Sequence, residues 1–286
     1  MRFALIATVL LAPTLAVAGP KKGAPGAGTA TKTSPPACGV KVLPLVEGNS
    51  WTYTNVVAAQ GPDDQVKRIA PDPAKQVVIT VKSVEATKGA PTVVTLEEKI
   101  TRDLTKDPKK PVLDERTLTT TITCTDKSFV ISPDSFFFAG EPGGYLGMKI
   151  DKIDHPKPTN ANSWVVTKGG FGDASWREEL SLHWTRTPTE GSEAKLGSGK
   201  LELERSYTPQ QPENIVTALA AYPKSEKLGL ITTGRVTLDG PLAPQDKPAE
   251  LPANWVTTQW LADGVGVVQS LNSYAHEYQL TAATLK

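Results

Sequence analysis

Three histidines, His155, His183 and His276, carry all the imidazole in the sequence, and their spacing matches no metal-ligand or nucleophile pattern. Asp151-x-x-Asp154-His155 groups two carboxylates with an imidazole that could coordinate a cation, but it lacks the oxygen density of a calcium loop and reads as a solvated loop. His183 falls on the polar side of an alternating segment. His276 shares a side with Tyr274, Tyr278 and Leu280, which suits a hydrogen-bonded core or rim histidine. Ser198 stands between Gly197 and Gly199 without a G-x-S-x-G elbow, inside a plain hairpin loop. The pairs Glu97-Glu98 and Glu178-Glu179 put one acid on each side of a strand, and nothing selects two acids facing one substrate. Glu98, Arg102 and Glu178 fall on mainly apolar sides, which implies buried ion pairs or a face that is not uniformly dry. No catalytic residue, metal ligand or cofactor is assigned, and an enzyme is not expected.

Phe136-Phe137-Phe138 gathers three of the six phenylalanines into one run. It reads either as a strand buried on both faces or as an apolar lip that lines a cavity or touches lipid.

The elements that must position these residues are mostly strands. Period-2 alternation runs through Gln76–Val84, Val93–Leu104, Thr117–Cys124, Trp176–Arg186, Leu201–Tyr207 and Leu228–Leu238, with acidic, basic and threonine-rich residues opposite the apolar ones. That pattern predicts antiparallel strands with one solvated face. It also argues against a transmembrane barrel, whose outer face must be apolar. Trp255–Ala262 and Val265–Leu271 flank Asp263-Gly264, a hairpin signal, and Tyr274–Ala282 reads as the last strand. One helix is predicted over 212–222: Pro212 at a first-turn position, i, i+4 pairs Ile215/Leu219 and Val216/Ala220, and a stop at Pro223. Asn49-Ser50-Trp51-x-x-Thr54 recurs as Asn162-Ser163-Trp164-x-x-Thr167, which would divide the body into two halves meeting near 151–161.

Residues 1–18 read as a secretion signal, with Arg2, an apolar Phe3–Val17 core and the Ala16-Val17-Ala18 cleavage site. Gly19–Ala37 is a Gly, Pro, Ala, Lys and Thr tether that cannot bury enough surface to order itself, and the β-rich body runs from 38 to 286. No segment after the signal is long and apolar enough for a spanning helix. The 31 basic and 30 acidic residues nearly balance, and the four basic residues before Cys38 leave the body slightly acidic. A nucleic-acid partner is therefore not expected. Lys106, Lys109 and Lys110, beside Pro108 and Pro111, make a solvated turn. The two cysteines, Cys38 and Cys124, suit a disulfide in an oxidising compartment, and closing so long a loop is worth about 4.5 kcal/mol in chain-entropy arithmetic.

Two segments resemble the motifs of a loose group of bacterial exported proteins of unknown function. Pro44-Leu45-Val46-Glu47-Gly48-Asn49-Ser50-Trp51-Thr52-Tyr53 matches a P-L-x-x-G-N-x-W-x-Y pattern, and Trp260-Leu261-Ala262-Asp263-Gly264-Val265-Gly266-Val267-Val268 matches W-x-A-x-G-V-G-x-V. The group is similar in architecture to periplasmic lipoprotein carriers, where a curved sheet wraps a helix and leaves an apolar hollow. Gly48, Trp51, Tyr53, Trp260, Gly264 and Gly266 take structural roles in this reading: glycines for turns, aromatics for the core.

The expected protein is mainly β: a curved antiparallel sheet, half-barrel or sandwich, with one short helix. It is exported, periplasmic or extracellular, and non-enzymatic. It binds an apolar ligand, lipid or lipoprotein in a hollow lined by Phe136, Phe137, Phe138, Ile215, Leu219, Tyr274, His276 and Tyr278. The alternative is a structural or protein-interaction module that uses its sheet faces or a strand edge, and a hydrolase comes third.

Overall fold

Alternation sets the strands. In β2 (Ala74–Glu85) and β3 (Thr92–Asp103), Val77, Ile79, Val81, Val94, Leu96 and Ile100 are all buried, while Lys82, Glu97 and Lys99 take the other side. Each such side chain withdrawn from water contributes about 1.5–3 kcal/mol. The computed structural model describes residues 41–57, 73–105, 107–124, 129–132, 135–138, 148–154, 166–167, 170–171, 176–186, 198–239, 249–273 and 275–286, all within the compact unit Ser34–Lys286. The signal segment, the tether, Cys38, Lys106, His155, Tyr274 and the Asn162–Trp164 repeat lie outside the described residues.

The other strands are β1 (Ser50–Val57), β4 (Leu113–Cys124), β5 (Phe129–Ile131), β6 (Met148–Asp154), β7 (Val166–Thr167), β8 (Gly170–Phe171), β9 (Trp176–Arg186), β10 (Ser198–Val216), β11 (Ala221–Asp239), β12 (Ala249–Ala262), β13 (Gly266–Asn272) and β14 (Glu277–Thr284). β7 and β8 pair only with each other. The remaining twelve form one antiparallel sheet in the order β5-β4-β3-β2-β1-β14-β13-β12-β11-β10-β9-β6. The chain starts at the centre, runs out to one edge through β5, resumes at the other edge with β6, and returns until β14 pairs with β1. Register shifts interrupt the β1/β14, β2/β3, β6/β9, β10/β11 and β12/β13 ladders, and such bulges bend strands and increase twist.

The sheet curls into a half-barrel. β3 and β12 are five strand spacings apart in the sheet order, about 24 Å if the sheet were flat. Glu98 of β3 and Gln259 of β12 nevertheless both hydrogen-bond the backbone of Phe137.

The two motif segments, more than two hundred residues apart, meet at the centre of this sheet. Trp51 Nε1 donates to the Val265 carbonyl at 2.5 Å, and the Tyr53 hydroxyl donates to the Val267 carbonyl at 2.9 Å. Gly48, Gly264 and Gly266 all have positive φ. At Gly266 (φ 108°) a Cβ would lie 2.9 Å from Trp51 Nε1, so the glycine answers both to backbone conformation and to the close tryptophan. Asn49, fully buried, donates to the Pro44 carbonyl and accepts from the Lys286 backbone N–H, fastening both ends of the described chain. Asp263, Gly264 and Val265 turn between β12 and β13, as the Asp-Gly signal predicts.

The helix predicted over 212–222 is instead the tip of the β10–β11 hairpin. Glu213 pairs with Ser225, Ile215 with Tyr222 and Val216 with Ala221, around a turn at 217–220. Ile215 faces in and Val216 out, the alternation of a strand. Thr217 decides the local conformation: its backbone N–H donates to the Ala220 carbonyl, and its Oγ1 accepts from the Leu219 and Ala220 N–H groups. Pro209 and Pro212 are tolerated because β9 pairs with β10 only as far as Tyr207. Pro223 likewise precedes the first rung with β12, at Glu226.

Candidate functional site

The concave side of the half-barrel holds Phe136-Phe137-Phe138. The run is a turn and not the doubly buried strand that its composition suggests. All three rings are buried because the turn sits inside the curl, with sheet on more than one side of it. Phe137 stacks on Tyr53 of β1 with ring centroids 4.1 Å apart, and meets Phe138 edge-on at 5.5 Å and Tyr278 of β14 at 6.3 Å. Phe136 also meets Tyr278, edge-on at 6.3 Å. These offset and edge geometries favour aromatic pairs beyond their buried area.

The polar groups here hold the main chain of the turn. Glu98, fully buried on the apolar side of β3, accepts from the Phe137 backbone N–H at 2.9 Å and from the Thr120 hydroxyl at 2.9 Å. Gln259 Nε2 donates to the Phe137 carbonyl at 3.1 Å. The Phe138 N–H donates to Ser135 Oγ, and the Ser135 N–H to the Ser132 carbonyl. One residue is thus clasped by opposite walls of the half-barrel through both of its peptide polar groups. The Tyr53 phenol is pushed well above its usual range, by burial first and then by the neighbouring Tyr222 phenol, whose own pKa burial also raises.

Of the other sequence candidates, Tyr278 and Ile215 are buried with this core, and the Tyr278 hydroxyl accepts from the Ala74 N–H at 3.0 Å. Leu219 does not line the hollow, because the strand geometry of the hairpin tip leaves it 47% exposed. His276 is buried beside β14, its N–H donating to Asn272 Oδ1 while its carbonyl accepts from the Asn272 N–H. That reciprocal pair closes the β13–β14 turn. His183 is exposed on β9, far along the sheet order from His276. Cys124 is buried at the end of β4. Asp151 and Asp154 belong to β6. Among the described residues no group of three or more His, Cys, Asp or Glu side chains could hold a metal ion.

Gln259 was not singled out by its sequence. Its signal is a polar residue at the centre of the inward series Thr257, Gln259, Leu261. Two neighbouring inward hydroxyls, Thr232 and Thr257 Oγ1, are buried and have no hydrogen-bond partner among the described residues. At one end of β3 and β4, Asp114 receives Arg102 and Arg116. Burial alone would raise the Asp114 carboxyl, but the hydrogen bond from Arg102 and the two guanidinium charges bring it below its usual value.

A second concavity, of about 370 Å³, opens on β9, β10 and β11. Glu179, Ser181, Glu202, Glu204, Thr233 and Arg235 ring a floor of Leu203 and Gly234. Glu202 is lowered by its hydrogen bond and ion pair with Lys200.

No protein family matches the chain, and no curated protein does. Two crystal structures are similar at a distance. One is of a protein from Parabacteroides distasonis described as a lipoprotein, 14% identical, with a TM-score of 0.48 over 86% of this chain and 99% of that one. The other is of a protein from Bacteroides fragilis described as exported, with a YmcC-like fold, 15% identical, with a TM-score of 0.44 over 85% of this chain and 98% of that one. Likenesses this remote say nothing about function.

Proposed function

We propose that the chain is an exported, non-catalytic protein of the cell envelope that serves as a structural and interaction module, its curled sheet locked shut by its own aromatic turn. The observation that carries this reading is the clasp on Phe137. Glu98 and Gln259, two of the polar side chains set into the concave face, are spent on a peptide N–H and carbonyl of the same chain, and three phenyl rings fill the space where an apolar ligand would sit. Export is read from Arg2, the Phe3–Val17 apolar core and Ala16-Val17-Ala18. In the same reading Cys38 and Cys124 are joined, tying the start of the body to the end of β4.

One feature favours a second reading, a carrier of an acyl or other apolar group. The turn at 135–138 belongs to no ladder, so a ligand that replaced its rings against Tyr53 and Tyr278 would leave the sheet intact. Intact mass of the protein purified mildly from its native envelope, before and after denaturation, separates the two. The module reading expects the bare chain from Gly19, two hydrogens light for the disulfide. A stoichiometric lipid-sized adduct lost on unfolding would overturn it in favour of the carrier, and an unprocessed N-terminus would overturn export.

A further inference from the structure

We propose that the tip of the β10–β11 hairpin is a membrane-contact point that dips into the surface of a lipid bilayer. Beyond the neighbouring ladders the arm pairs only with itself: β9 leaves β10 after Tyr207, and β12 joins β11 only at Glu226. Its inner side, with Ile215, Thr217 and Tyr222, is turned toward the core, so the arm is anchored. Its outer side ends in Val216, 71% exposed, and Leu219, 47% exposed, with exposed Ala218, Ala220 and Ala221 between and beside them. From Ile215 to Pro223 there is no charged side chain.

Two observations choose lipid over a protein partner. First, three of the four N–H groups at 217–220 are met within the turn. Thr217 Oγ1 accepts from the Leu219 and Ala220 N–H groups, and the Thr217 N–H donates to the Ala220 carbonyl, so these donors make no demand on water. Hydrocarbon imposes that requirement on backbone, and a protein surface, with donors and acceptors of its own, does not. Second, the apolar tip comprises two large side chains and three alanines, too little for the roughly 800 Å² per partner of a specific protein interface. It is enough for shallow interfacial insertion, which scales with buried apolar area and is strengthened by nearby cations. Exposed Lys224 follows the tip directly, its backbone N–H fixed to Asn214 Oδ1 at 3.0 Å. Lys227, bound to Glu213 and lying over Trp260, comes next. Together they set a polar collar behind the apolar point, at headgroup depth.

This contact deepens the envelope reading, and the mass of the exported chain tests that reading separately. The test is co-sedimentation of the export-processed protein with phosphatidylethanolamine–phosphatidylglycerol vesicles and with pure phosphatidylcholine vesicles. Val216→Ser/Leu219→Ser should lower partitioning at least about tenfold with an unchanged unfolding midpoint. Val216→Phe should raise it, and Lys224→Gln should weaken only the preference for anionic vesicles. Ile231→Ser/Val256→Ser, which removes an exposed apolar cross-strand pair from the sheet face, should change nothing. No vesicle binding by the parent protein, equal binding by the tip double variant, or a tip-dependent self-association without lipid would each overturn the proposal.

Discussion

Replacing Phe137 by alanine separates the two jobs of the aromatic turn. The substitution keeps the peptide N–H and carbonyl that Glu98 and Gln259 hold, so the clasp survives while the ring is lost. The ring is almost wholly buried, and burying a phenyl in a core that relaxes only partly is worth about 3–5 kcal/mol. The stack on Tyr53 at 4.1 Å and the edge contacts with Phe138 and Tyr278 place the cost in the upper part of that range, since each aromatic pair adds about 0.5–1.5 kcal/mol. Phe137→Leu, which refills most of the volume but restores no stacking, should cost about 1–2 kcal/mol. Urea unfolding followed by tryptophan fluorescence reads both, with a lower midpoint and an unchanged slope. The vacated space is apolar and framed by aromatics, so benzene or indole should raise the midpoint of Phe137→Ala and leave the parent unmoved. A cost below about 1 kcal/mol, or equal stabilisation of both proteins by indole, would refute the view that Phe137 fills the hollow.

The remaining expectations concern the frame around that turn. Because the Tyr53 phenol pKa is higher folded than unfolded, its contribution is complete below about pH 10 and is lost as pH rises beyond it, by up to about 1.4 kcal/mol per pH unit. Tyr53→Phe should flatten that alkaline decline and cost about 0.5–1.5 kcal/mol at neutral pH for the bond to the Val267 carbonyl; an unchanged alkaline slope would count against it. Gly266→Ala should cost about 2–4 kcal/mol and perturb Trp51 emission, since φ of 108° and a Cβ 2.9 Å from the indole both resist it; a cost under 1 kcal/mol would contradict the geometry. Thr120→Val removes a donor to the buried Glu98 carboxyl and should cost about 1–3 kcal/mol, whereas Thr257→Val deletes a hydroxyl with no partner among the described residues and should be neutral or stabilising; the reverse order in thermal melts would overturn the polar accounting. Cys124→Ser should raise the free-thiol titre from none to one, at Cys38, and lower stability by up to about 4.5 kcal/mol through loss of the proposed disulfide, whereas a titre that falls from two to one would show that the bond does not form.

Strands such as β2 and β3 were legible because one face of each is wet, whereas β6, whose Asp151 and Asp154 read as a solvated loop, was not. Val77, Ile79 and Val81 alternate with Val78, Thr80 and Lys82, and Val94, Leu96 and Ile100 lie opposite Thr95, Glu97 and Lys99, so side chains one residue apart announce which way they point. The Asp263-Gly264 turn was legible for a local reason as well, a residue type that accepts positive φ. What failed was local pattern without its context. Ile215/Leu219 and Val216/Ala220 have helical spacing, but only the hydroxyl of Thr217 and the continuing rungs to β11 decide that the segment reverses as a hairpin. Phe136–Phe138 could be recognised as core from composition alone, yet whether it formed a strand or a plug depended on a half-barrel built from residues far away. Glu98 was visible as an acid on a dry face. Gln259 was not, because its partner is a backbone carbonyl more than a hundred residues distant.

The same distances shape how the molecule must assemble. Trp51 and Val265, Tyr53 and Val267, and Asn49 and Lys286 all join positions separated by more than two hundred residues, and they lie at the centre of the sheet. The outer hairpins, β2–β3 and β10–β11, are local and can form early. The central seam of β1 with β14 cannot, because it requires closing nearly the whole described chain and bears that loop entropy before its own contacts exist. Until the seam forms, β1 and β14 are open edges, and the concave face has only one wall from which to hold Phe137. The clasp from both Glu98 and Gln259 therefore becomes available only after the two ends have met. The aromatic turn then reports completion of the curl: a residue held simultaneously from β3 and β12 reads out a curvature that neither half of the sheet possesses alone.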